Sequence, residues 1–80
     1  MITARQSRAA RALLGWTQET LADKACVSLT ALKRLESESG LDVYESTRDE
    51  VRRAFERGGI VLLNSAQGVG VMLVDEAKRG

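Results

Sequence analysis

Thr17 to Glu36 reads TQETLADKACVSLTALKRLE, and the way this stretch folds decides the rest of the chain. It divides into two short helices joined by a tight corner. Thr17 can N-cap the first helix, its hydroxyl accepting from an N–H of the first turn. Leu21, Ala22 and Ala25 then fall at i, i+1 and i+4 and make one buried stripe. Cys26 and Val27 interrupt the pattern, and Ser28 is a fresh N-cap. From there Val27, Ala31, Leu32 and Leu35 point inward, and Leu29, Thr30, Lys33, Arg34 and Ser37 point outward.

A bihelical corner whose second helix carries a basic outer face is suited to the major groove of DNA. The same corner occurs in small bundles that never touch nucleic acid, so the pattern alone leaves both readings open.

Upstream, Thr3 and Gln6 form a capping box that opens helix 1. Gln6, Ala9, Ala10, Leu13 and Leu14 give that helix an inner face, and Gly15 stops it in the left-handed conformation. Trp16, the only tryptophan, is read as a core plug between helices rather than a platform for bases. Downstream, Ser37 to Glu45 is a loop around Gly40, with Leu41, Val43 and Tyr44 able to dip into the core. Thr47 and Glu50 form a second capping box, and helix 4 follows with Val51, Ala54 and Phe55 inward. Gly58 and Gly59 end it.

The period then changes. Ile60 to Leu63 and Val69 to Val74 are apolar runs joined by the turn-like Asn64 to Gly68, which predicts a β-hairpin. A lone hairpin is marginal in water, and both faces of its first strand are apolar. Helices can cover one face only. Residues 59–74 are therefore read as a dimerisation element through Ile60, Val61, Leu62, Leu63, Val69, Val71 and Leu73. Residues 1–58 form the helical domain, and residues 75–80 a polar tail.

Eighty residues allow one domain with a limited core, for which oligomerisation is a natural supplement. The net charge of +1 hides an asymmetry. Residues 1–34 carry Arg5, Arg8, Arg11, Lys24, Lys33 and Arg34 against Glu19 and Asp23. Residues 35–50 carry six acids against Arg48. One surface thus suits a polyanion and another faces away from it. There is no histidine, no metal-ligand cluster and no phosphate-cradling glycine loop, so the expectation is a protein that is not an enzyme and takes no cofactor. A single cysteine, no signal peptide and no membrane-length apolar run lead to the expectation of a cytoplasmic chain.

The string LLGWTQETLADKACVSLTALKRLE resembles the helix-turn-helix of the XRE family, the lambda-repressor-like and Cro-like regulators. Their usual pattern is close to LGLSQxxLAxxxGVSxxxIxxxE. Leu14, Gly15, Trp16, Thr17, Gln18, Leu21, Ala22, Val27, Ser28, Leu32 and Glu36 stand at the matching spacing. The resemblance covers Ala4 to Phe55, and a looser one to a subgroup of short bacterial regulators covers the two strands. It implies a mainly α fold: a four-helix lambda-repressor-like core plus a C-terminal β-hairpin. It also implies a homodimeric transcriptional regulator, a repressor, whose partner is a double-stranded DNA operator and which takes no small-molecule ligand. Gln18 is then expected to contact a phosphate and brace the start of helix 3. Leu29, Thr30 and Lys33 face base edges, and Ser28 and Arg34 lie near the backbone. Arg11 and Glu36 pair to join helices 1 and 3.

Two positions depart from the family. Leu29 stands where a polar residue is common. Cys26 stands where glycine is usual, and a side chain at positive φ costs about 1 kcal/mol. Cys26 is either a redox thiol or a tolerated small residue, and no second cysteine or histidine stands ready to activate it. Leu29 and the modest net charge also keep open a protein–protein module, antitoxin-like or an anti-activator, built on the same fold.

Overall fold

Short-range capping sets the ends of the first three helices. The computed structural model describes residues 2–37 and 42–74. Helix α1 spans Ala4–Leu14. Thr3 Oγ1 accepts from the Gln6 N–H while Gln6 Oε1 accepts from the Thr3 N–H, both at 3.1 Å. Gly15, at φ 69°, ends the helix. Helix α2 spans Gln18–Ala25 behind Thr17, whose Oγ1 accepts from the Thr20 N–H at 3.1 Å. Helix α3 spans Leu29–Glu36 behind Ser28, whose Oγ accepts from the Ala31 N–H at 3.0 Å. Each cap satisfies a donor that the first helical turn leaves without a partner.

Helix α4, Glu45–Arg57, begins earlier than Thr47 and Glu50 suggest. Those two residues lie inside the helix. The Tyr44 carbonyl already accepts from the Thr47 and Arg48 N–H groups, and Glu45 in the first turn faces the positive end of the helix dipole. Tyr44 has no side-chain cap bond and is 84% exposed, so it does not enter the core. Val43 does pack against the core, whereas Gly40 and Leu41 lie outside the described residues.

The core gathers Ala10 from α1, Leu21, Ala22 and Ala25 from α2, Leu32 and Leu35 from α3, and Val51, Ala54 and Phe55 from α4, with Ile2 and Ile60 closing its ends. The buried face of α1 differs from the expected one. Gln6, Ser7 and Ala10 are inside, while Ala9 and Leu13 are exposed. Two polar residues turn inward because their partners are there, as a buried polar group requires. No helix among the described residues is long and apolar enough to cross a membrane.

Strands β1, Ile60–Ser65, and β2, Gly68–Leu73, pair antiparallel from Ile60 opposite Leu73 to Ser65 opposite Gly68. Directly opposed residues share a face. Ile60, Leu62, Val71 and Leu73 therefore face the helices, and Val61, Leu63 and Met72 face away. Ile60 is 2% exposed in the protomer's own core, and Leu62 and Val71 pack against that core. These three are thus engaged within the protomer, which corrects their expected place on a subunit surface, most completely for Ile60. The buried Gln6 amide ties the sheet to α1: its Nε2 donates to the carbonyls of Gly70 at 3.0 Å and Leu63 at 3.2 Å.

Trp16 stacks on Phe55, with ring centroids 5.9 Å apart and planes 13° from parallel. Gly58, just after α4, has an ordinary φ of −81°, yet a Cβ there would sit 3.0 Å from Trp16 Cη2. The glycine is needed for closeness rather than for backbone conformation. Because Phe55 backs the indole ring, Gly58→Ala is expected to lower stability by about 1 kcal/mol through overpacking. It should also shift the tryptophan emission. A urea melt superimposable on that of the parent protein would show that Trp16 moves aside freely.

Candidate nucleic-acid interface

The corner between α2 and α3 is held by backbone bonds. Cys26 sits at φ 56°, and the N–H groups of Cys26 and Val27 donate to the carbonyls of Asp23 and Ala22, at 3.2 and 3.1 Å. This is the left-handed termination that glycine adopts without strain. Cys26 is exposed, its thiol 3.8 Å from the Asp23 carbonyl.

Beyond the corner, α3 is anchored by Leu32, Leu35 and Glu36, all buried. Its opposite side carries exposed Ser28, Thr30, Lys33 and Arg34. Leu29 is half-buried and packs against the core, so only part of it reaches that open side. A cleft of about 250 Å³ runs between this side of α3 and the start of α4, with Thr30 and Arg34 on one wall and Val43 and Tyr44 on the other. Tyr44, whose ring looked from sequence like core material, is therefore a polar aromatic at the rim of the candidate surface.

What orients α3 is the network around Glu36. Its carboxylate is buried and accepts from Arg11 Nη2 at 2.8 Å and Arg11 Nε at 2.9 Å. Ser7 Oγ donates to it at 2.5 Å and Gln18 Nε2 at 3.1 Å. Arg8 donates to the Glu36 carbonyl, and Arg11 Nη1 to that of Trp16. Gln18 thus braces the end of α3, which corrects the expectation that it braces the start. Carboxylate chemistry explains the choice: Oε1 of Glu36 is a charged acceptor in reach, and a charged acceptor makes the stronger hydrogen bond. Ser7, fully buried in this network, has no counterpart in the hydrophobic pattern of α1.

Burial pushes the Glu36 carboxyl up, but the donations from Arg11, Ser7 and Gln18, with the charge of Arg11, outweigh it and hold the group below its ordinary value.

Residues 8–42 match the model of a helix-turn-helix family. They belong to the XRE, lambda-repressor-like helix-turn-helix family. No curated protein matches the chain. The family is one of DNA-binding regulators, and the matched segment includes all of α2, the corner and α3. The hairpin and α4 lie beyond it. The open side of α3 is therefore the surface to weigh for DNA. Thr30, Lys33 and Arg34 share that side, Gln18 turns toward Glu36, and Leu29 divides its surface between core and solvent.

The depressed Glu36 value fixes the sign of a pH effect. Between the folded value and the ordinary 4.5 the unfolded chain binds more protons, so the network's contribution is complete above that range and fades as pH falls through the folded value. Glu36→Gln, which leaves Arg11 without a counter-charge, is expected to cost about 3 kcal/mol at pH 7. The gap to the parent protein should narrow as the pH is lowered below 4.5 in parallel denaturant titrations. A gap constant down to pH 3 would mean that the carboxylate charge contributes nothing.

Proposed function

We propose that the protein represses transcription in the cytoplasm by binding an inverted-repeat operator as a homodimer, with one α3 in each of two successive major grooves. The observation that carries this reading is the division of α3. One side is anchored by Leu32, Leu35 and Glu36, and the other offers hydroxyl and cationic groups to solvent. Lys33 donates to guanine O6 and N7, and Thr30 contacts a neighbouring base edge. The exposed part of Leu29 meets a thymine methyl. Ser28, Arg34 and the second amide hydrogen of Gln18 hold phosphates and set the register. Residues 1–58 act as the DNA-binding unit and residues 59–74 join the subunits, with the half-sites about 34 Å apart. Bound across a promoter, the dimer excludes the transcription machinery.

A second reading draws support from the five acids in residues 37–50, which follow α3, and from the apolar Leu29. In it the chain is a protein–protein module, antitoxin-like or an anti-activator, with little affinity for DNA. Selection of bound sequences from a random duplex pool separates the two. A palindromic consensus supports the regulator, and no enrichment supports the module.

On a selected site, Lys33→Ala is expected to weaken binding by about tenfold or more, with little change on unrelated duplex. Equal losses on both would reduce Lys33 to a phosphate contact. The logarithm of affinity should fall with that of salt at a slope near −5 for roughly six phosphate contacts per dimer. A slope near zero would contradict the backbone assignments.

A further inference from the structure

The outward face of the hairpin carries Val61, Leu63 and Met72, exposed by 38%, 47% and 47%. Of the large hydrophobic side chains exposed among the described residues, all but Leu13 and Tyr44 belong to these two strands. No charged residue occurs from Gly58 to Val74. Met72, opposite Val61, completes this face.

Beside Leu63 on the ladder stands Gly70. Nothing inside the protomer requires glycine there. Its φ is not positive, and an added Cβ would meet nothing nearer than Leu63 Cδ1 at 3.8 Å, an ordinary contact. Glycine inside a strand weakens it and marks a place where another surface comes close. The face therefore presents a knob, Leu63, next to a hollow at Gly70. A contact about a two-fold axis needs both on one patch, because each copy must supply what the other receives.

We propose that two copies pack outward face to outward face, Leu63 of each seated over Gly70 of the other. This rests on the homodimer reading and specifies it. The occupant is a second copy because the patch is complementary to itself. It is uncharged, so its own copy meets it without like-charge repulsion or an unpaired buried charge. Two pleated faces pack about 10 Å apart, a spacing that interdigitated leucine, valine and methionine side chains fill. The footprint of two six-residue strands is about 200 Å². A standard interface buries about 800 Å² per partner. The dimer is thus expected to dissociate on dilution and to be reinforced by a duplex that holds both subunits.

Sedimentation equilibrium over a concentration series tests this with the parent chain, Gly70→Val and Leu63→Lys, each checked by circular dichroism and thermal melting at low concentration. Gly70→Val fills the hollow with a residue that favours strands. It should leave the melting temperature of the dilute protomer equal or higher while raising the dimer dissociation constant at least tenfold. Leu63→Lys should raise it as well. A dimeric parent whose dissociation constant is unchanged by both substitutions overturns face-to-face packing and leaves the homodimer reading standing. A parent chain that stays monomeric at every concentration, and still binds a two-half-site duplex as independent single subunits, overturns both.

Discussion

The arrangement of the helices depends on a carboxylate taken out of water. Removing Glu36 from solvent is costly, and the cost is offset only because Arg11, Ser7 and Gln18 all converge on it. The balance need not add much net stability. It does set position, since any shift of the C-terminal end of α3 leaves a buried charge short of donors, and an unmet buried charge is far more expensive than a slightly loosened apolar contact. One side chain thereby joins three helices at a single point: α1 through Ser7 and Arg11, α2 through Gln18, and α3 through Glu36 itself.

That external fixing matters because the elements concerned are too short to hold themselves. Helices α2 and α3 have eight residues each, below the length at which an isolated helix is stable in water. Their N-caps, the backbone bonds at Cys26 and Val27, and the burial of Leu21, Leu32 and Leu35 supply what propensity does not. With its position set from the inner side, the outer side of α3 is free to carry polar and cationic residues that add nothing to packing. The hairpin is equally marginal alone. It is held by Ile60 in the core, by the Val74 N–H donating to the Gly59 carbonyl at 2.8 Å, and by Gln6 across the strands.

Features decided within four residues were legible in the sequence. Thr3 with Gln6, Thr17, Ser28 and Gly15 act through local bonds that any chain with those residues can make. The change from a helical to a strand period marked the hairpin, and the density of matches from Leu14 to Glu36 marked the family. Features decided by distant partners were not legible in the hydrophobic pattern, and the Arg11–Glu36 pair was expected only through the family resemblance. Ser7 turns inward toward a carboxylate 29 residues away, and a hydrophobic pattern assigns such a residue outward; the spacing places Gln6 on the inner face but gives no sign of its bond to a carbonyl 64 residues away. The start of α4 was missed because the spacing of Thr47 and Glu50 imitates a cap, whereas the operative acceptor is the Tyr44 carbonyl, which every residue type possesses. The two faces of β1 could not be told apart because both are apolar, and only packing on the helices distinguishes Ile60 and Leu62 from Val61 and Leu63. Leu29 was ambiguous for the same reason.

Helix α1 connects these two halves of the molecule. Along it Gln6 holds the backbone of both strands, Ser7 and Arg11 hold the Glu36 carboxylate, and Arg8 holds the Glu36 carbonyl. The hairpin and the end of α3 are therefore fastened to the same short rigid rod, and neither can tilt without breaking bonds at buried or half-buried polar groups. In the proposed dimer the separation of the two α3 helices equals the offset within one protomer, doubled by the symmetry axis. A fixed offset means a fixed half-site spacing, whereas a loosely tethered hairpin would tolerate many spacings and discriminate among few. The polar character of the inner face of α1, which looks like a defect when scored for hydrophobicity, is what makes that coupling directional: apolar contacts alone would let the hairpin slide over α1, and hydrogen bonds to named carbonyls do not.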